Sequence, residues 1–155
     1  MPVPTSVEAL LNDQNIRYDI AETPKGADNQ PLWHDQHLRN VGAAKSVLLE
    51  DSRGRVLAVV GADTLLDLHA VNRQMERELY ATSLEDVRQF CDSHSLRSVP
   101  ALPKLANLPT LVDRRLLDKE SLLLESGDDA LLLHLERKDF ERVLKGAIIC
   151  DIAVP

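Results

Sequence analysis

Lys45 is the residue of this chain best placed by type and spacing to hold an anion. In Lys45-Ser-Val-Leu-Leu-Glu50 strand alternation puts its side chain on the same face as Val47 and Leu49, so its ammonium stands at the rim of an apolar surface. Two readings follow from that position. The lysine can lay its stem over a core edge with its charge in water, or it can anchor an anionic ligand at the mouth of a pocket, where partial desolvation strengthens the charge.

Other polar groups carry less. His34 and His37 form an H-x-x-H beside Asp35, a spacing able to seat a metal on a helix, but no third ligand lies near them and catalytic zinc usually has three. No metal and no cofactor is therefore expected. His69, His94 and His134 stand alone and read as surface or packing residues. Gly127-Asp128-Asp129 superficially matches the acidic turn of nucleotide polymerases, yet Gly and Asp are ordinary tight-turn residues. Arg114-Arg115 and Arg137-Lys138 are short basic pairs amid acidic neighbours and read as solvated surface. The motifs G-x-S-x-G, Walker A, G-x-G-x-x-G and H-E-x-x-H are absent, which removes the enzyme classes they define.

Composition limits what can position these groups. A chain of 155 residues with 44% hydrophobic content can build a core without disulfides or a structural metal, and one domain over 1–155 is expected. The 18 Lys plus Arg against 25 Asp plus Glu leave a net charge of −7, which argues against a broad phosphate-binding face and against DNA as a partner while leaving room for a small basic pocket. The aromatic residues Tyr18, Trp33, Tyr80, Phe90 and Phe140 are too few for a base-stacking surface. Cys91 and Cys150 are isolated, with no C-x-x-C pair, and no secretory signal or run of eighteen apolar residues is present. A cytoplasmic location without membrane insertion is the expectation.

The elements follow from local patterns. Thr5 and Glu8 have capping-box spacing ahead of a helix over 6–14, Ile16 to Ala21 alternates like a strand, Thr23 to Leu32 is loop chemistry, and Leu38 to Ala44 reads as a short helix ending near Gly42. Lys45–Glu50 and Arg55–Val60 form a hairpin through Asp51-Ser-Arg-Gly54. Leu68, Val71, Met75 and Leu79 mark a helix across 67–78, and Ser83 with Asp86 caps another running through Phe90. His94 to Pro109 reads as a long, proline-bearing loop and a candidate site. Strands are expected at 110–112, 121–125 and 130–135, the last two joined by Ser126-Gly-Asp-Asp129, with a final helix over 138–144 stopped by Gly146. The class is α+β with a mixed, largely antiparallel, barrel-like sheet surrounded by helices. The tail Ala147–Pro155 is compatible with a packed strand, a dimer contact or the stub of a longer chain.

Ala43-Ala-Lys-Ser-Val-Leu-Leu49 resembles the Ala-Lys-Thr-Leu-type strand motif of the YbaK and prolyl-tRNA-synthetase-associated editing domain family. The similarity continues in order through Val59-Val-Gly-Ala-Asp63, Leu66-Asp-Leu68, Thr82-Ser-Leu-Glu-Asp86, Ser98-Val-Pro100, Leu111-Val-Asp113 with Leu116-Leu117, and Glu125-Ser-Gly-Asp128, covering about residues 5–146. The resemblance implies a YbaK-like domain that hydrolyses the ester of mischarged aminoacyl-tRNA without a side-chain nucleophile. Its implied partner is the 3′ end of aminoacyl-tRNA, together with an aminoacyl-tRNA synthetase or a fused domain. Lys45 then corresponds to the lysine that holds the phosphate end, with Ser46 where Thr is common. Ser126 and Gly127 correspond to the Ser/Gly turn at the pocket edge, and Val99-Pro100 to the end of a G-x-x-x-P loop. In this reading Ser46 and Ser126 hydrogen-bond the ligand, and Ser98 to Pro100 positions ester and water.

The departures define an alternative. The glycine of G-x-x-x-P falls on Leu96, and a left-handed residue there would cost roughly 1–2 kcal/mol, while a displaced loop donor would cost about 10²–10³ in rate. The turn after Ser126 is acidic and lacks the family's frequent Arg-Gly, and Leu131-Leu-Leu133 makes the pocket less polar. These changes suit a catalytically degenerate YbaK-like module that binds a ligand or protein and regulates it. A third reading leaves Lys45 as a rim lysine on a fold that serves protein contacts alone.

Overall fold

The computed structural model describes residues 3–22, 40–103, 107–128 and 131–155. The loop expected at 23–32, His34, Asp35, His37 and Asp129 lie outside them. Helix α1 (Thr5–Asp13) buries Val7 and Leu11, one turn apart. Its expected capping box does not form. Pro4 is the N-cap, its carbonyl accepts the N–H groups of Val7 and Glu8 at 3.0 Å each, and no side chain caps the helix. Strand β1 (Asp19–Glu22) starts later than its alternation suggests, because its ladder runs only from Asp19 to Glu22, and Ile16 instead fills the core.

The largest departure is at residues 41–44. They form no helix; β2 (Val41–Asp51) runs unbroken through Lys45, and Val41–Ala44 pairs in parallel with Ser121–Leu124 of β7 (Ser121–Glu125). Gly42 permits close approach here, since a Cβ on it would stand 2.7 Å from Lys119 Cγ. The hairpin forms as expected: β2 pairs with β3 (Gly54–Gly61) in the register Glu50↔Arg55, and Gly54 takes φ +136° after a two-residue turn.

After β4 (Leu65–Leu66), Asp67 caps α2 (Leu68–Met75) by accepting the Ala70 N–H at 3.2 Å. This helix ends before residue 78 because Glu76 turns left-handed at φ 54°. Beyond β5 (Tyr80–Ala81), Ser83 caps α3 (Leu84–Ser93) through the Asp86 N–H at 3.1 Å. Strands β6 (Thr110–Asp113), β7 and β8 (Leu131–Glu136) precede α4 (Arg137–Val143). The tail packs as strands, β9 (Ile148–Cys150) and β10 (Ala153–Val154), and the buried Ile152 donates its N–H to Asp113 Oδ1 at 3.1 Å.

The main sheet has the order β1-β8-β7-β2-β3-β6-β9, with β5 also on β2, and β10 pairs with β4 apart from it. Five of the eight pairings among the described residues are antiparallel, so the expected mixed, largely antiparallel α+β class holds. Val7, Leu11, Phe90, Leu133 and Phe140 belong to one apolar core, and Leu49, Val56, Val60, Val71 and Ile152 to a second. No helix among the described residues is long and apolar enough to cross a membrane.

Candidate functional site

The parallel ladder between β2 and β7 ends at Ala44↔Leu124, so Lys45 and Ser46 on β2 stand where the strands part, as do Glu125, the last residue of β7, and Ser126 just beyond it. Across that gap the Ser46 N–H donates to Glu125 Oε1 at 3.4 Å. Lys45 Nζ donates to the Thr64 carbonyl at 2.7 Å, its only hydrogen bond among the described residues. The turn after β3 holds that carbonyl in place, with Thr64 N–H and Oγ1 both bonded to the Gly61 carbonyl, at 3.0 and 2.8 Å. An ammonium carries three donors, so two remain for an anion. The Ser46 hydroxyl oxygen is buried and has no hydrogen-bond partner among the described residues.

The loop after α3 is fastened to the β7–β8 turn. The N–H groups of Arg97 and Ser98 both donate to the Gly127 carbonyl, at 2.7 and 3.3 Å, and Val99 and Pro100 are buried behind them. Gly127 takes φ +94°, and a Cβ on it would stand 2.8 Å from Leu96 Cδ2. Leu96 itself carries no left-handed strain. The left-handed residue is Ser95, at φ 56°, one position after the His94 cap of α3, and Leu96 is 5% exposed within the core. The cost expected for a left-handed Leu96 is thus absent, because the turn takes that conformation one residue earlier.

Ser126 is fully buried, with its Oγ donating to the Leu131 carbonyl at 2.7 Å and accepting the Asp128 N–H at 3.2 Å. The hydroxyl therefore clamps the turn that presents Gly127. Ser126→Ala is expected to destabilise the fold by about 1–3 kcal/mol, since it leaves buried polar groups without their partner, and a denaturant titration measures this.

Sequence reasoning assigned no role to Glu125. Burial pushes its carboxyl above the ordinary range, against the Ser46 hydrogen bond and the Lys45 charge, which both favour the ionised form. By linkage, a carboxyl with a raised folded pKa favours the folded state most below its unfolded pKa of about 4.3, and that contribution is lost as pH rises through the folded value. Thermal melts from pH 5 to 8 should show wild type losing stability relative to Glu125→Gln. The available signal was an acidic residue closing the apolar run Leu122–Leu124 one position beyond the ladder with β2.

The remaining polar groups stay apart. His134 Nε2 lies 2.9 Å from Ser121 Oγ, but its Nδ1 is 3.9 Å from an Asp19 carboxylate that is 89% exposed, so the order of a nucleophilic triad is present without its contacts. Arg114 pairs with Asp151 and Arg115 with Asp113, while Arg137 caps the Lys119 carbonyl and Lys138 pairs with Glu136. Cys91 and Cys150 are buried free thiols whose pKa burial pushes up. No cluster of metal-ligating residues occurs among the described residues.

The mixed sheet carries a lysine where β2 and β7 part, and the Ser-Gly turn that follows β7 holds a proline-bearing loop, in a YbaK-like fold. The profile of the aminoacyl-tRNA editing domain matches residues 34–143, and the chain belongs to that family. Among solved structures it is similar to a candidate signal transduction protein from Marinobacter aquaeolei VT8, at 26% identity and a TM-score of 0.81 over 99% of this chain. The chain spans 31% of that protein's length. It is also similar to a candidate trans-editing enzyme for prolyl-tRNA synthetase, at 20% identity and a TM-score of 0.72, over 99% of this chain and 100% of that one. No functionally curated protein matches the sequence.

Proposed function

We propose that the chain is an aminoacyl-tRNA deacylase acting in trans, a single editing domain that hydrolyses the ester of mischarged tRNA in the cytoplasm. The reading is supported by the family match together with two links at the end of β7, the Ser46 N–H bonded to Glu125 and the Arg97 and Ser98 N–H groups bonded to the Gly127 carbonyl two residues further on. Lys45 holds the 3′-terminal phosphate with its two remaining donors. Ser46 offers to the ligand a hydroxyl that has no partner among the described residues, Ser98 with Val99 and Pro100 positions ester and water, and Ser126 acts through the turn that sets Gly127. The net charge of −7 suits contact with the 3′ end rather than with the body of the tRNA, and a synthetase or a fused domain supplies the rest of the recognition. Apolar walls select the amino acid, one methylene being worth about 1–3 kcal/mol.

The test is release of labelled amino acid from Pro-, Ala-, Cys- and Ser-tRNA by the wild-type chain. Turnover on one member supports the reading and names the substrate. A second reading, a degenerate ligand-binding regulatory module, is favoured by the likeness to the candidate signal transduction protein, and it predicts binding without turnover on any member.

A further inference from the structure

We propose that Glu125, whose carboxylate accepts the Ser46 N–H beside Lys45, is the general base that activates the hydrolytic water. This rests on the deacylase reading and adds the group that reading lacks. Hydrolysis of an ester near neutral pH is faster when a positioned base takes a proton from water as it attacks. Among the described residues the site holds no histidine and no thiol able to serve, since His134 bonds to Ser121 and Cys91 is a buried, neutral thiol on α3. Glu125 is a carboxylate at the parting of β2 and β7, one position beyond the end of their ladder. One carboxylate oxygen accepts the Ser46 N–H at 3.4 Å, and the other accepts no hydrogen bond from the described residues. The charged and titratable groups that act on it from neighbouring elements are Lys45 on β2 and Cys91 on α3. Burial raises its proton affinity, while the Ser46 hydrogen bond and the Lys45 charge act in the opposite direction.

The step balances without a co-reactant. Glu125 removes a proton from water, the resulting hydroxide forms a bond to the ester carbonyl carbon, and collapse of the tetrahedral intermediate breaks the bond between that carbon and the ribose oxygen. The proton held by Glu125 passes to the departing ribose oxygen. The products are the free amino acid, which ionises in water, and tRNA with its terminal hydroxyl restored.

Glu125→Gln keeps the size of the side chain and the acceptor for Ser46 while removing the base. It should lower kcat on the cognate aminoacyl-tRNA by about 10²–10⁴ and abolish the acidic limb of the pH–rate profile. Binding of an amide-linked, non-hydrolysable aminoacyl-adenosine should stay within about threefold of wild type. Glu125→Asp retains a carboxylate one methylene back and should recover part of the rate. A Glu125→Gln chain that turns over at the wild-type rate, or keeps the acidic limb, overturns the inference and leaves the deacylase reading standing. A wild-type chain with no turnover on any aminoacyl-tRNA overturns both.

Discussion

Lys45→Ala and Lys45→Met should both lower deacylation by about 10²-fold or more and leave the fold intact. The ammonium fixes one end of the substrate, and an ester displaced by about 1 Å at the other end costs about that factor. The structural cost is small because Lys45 is half-buried and its one hydrogen bond among the described residues, to the Thr64 carbonyl, is to a backbone group at a turn. Losing it should change stability by about 1 kcal/mol. Methionine separates the two roles open to this residue. It preserves an unbranched apolar stem over the edge of the sheet while removing the charge, so a lysine that merely covers the core would be replaced by it without loss of activity. Steady-state rates with both variants, alongside circular dichroism, decide between anchor and rim.

Leu96→Gly, which writes the family's loop glycine into this chain, should destabilise it by about 2–5 kcal/mol and should not raise activity. Leu96 is buried in the larger core, and its Cδ2 occupies the space over Gly127. Removing it opens a cavity under the turn whose carbonyl holds the Arg97 and Ser98 N–H groups, so the loop loses its footing at the site. A glycine at 96 also gains no backbone advantage, because the left-handed position is Ser95. Leu96→Met, which conserves volume, should cost under about 1.5 kcal/mol. Denaturant midpoints for the two variants measure the difference. A neutral Leu96→Gly would show that the loop is not packed as described.

These two residues mark how far the sequence was legible. The hairpin at Glu50 and Arg55 and the caps at Asp67 and Ser83 could be read because their signals are local, a turn glycine in one case and a side-chain acceptor ahead of a helix in the others. Val41–Ala44 could not, since what makes it a strand is a parallel partner beginning at Ser121, and parallel pairing leaves no short-range pattern. The capping box at Thr5 and Glu8 failed because Pro4 already supplies the N-cap. At the proposed site, alternation and resemblance together single out Lys45, whereas the shift of the left-handed residue to Ser95 and the inward turn of the Ser126 hydroxyl depend on how loop and turn pack. Glu125 was hidden for a related reason. An acidic residue at a strand end is ordinary in sequence, and only the parting of β2 and β7 buries it beside Ser46.

The most direct test of the account is to titrate ¹⁵N-labelled wild-type protein with a non-hydrolysable aminoacyl-adenosine bearing a phosphate, and to follow the backbone amide shifts. Perturbations concentrated at Lys45, Ser46, Arg97, Ser98 and Glu125 through Gly127 are the predicted result, and they should vanish in Lys45→Ala. Perturbations centred instead on the surface around His134 and Arg137, or persisting unchanged without Lys45, would contradict it.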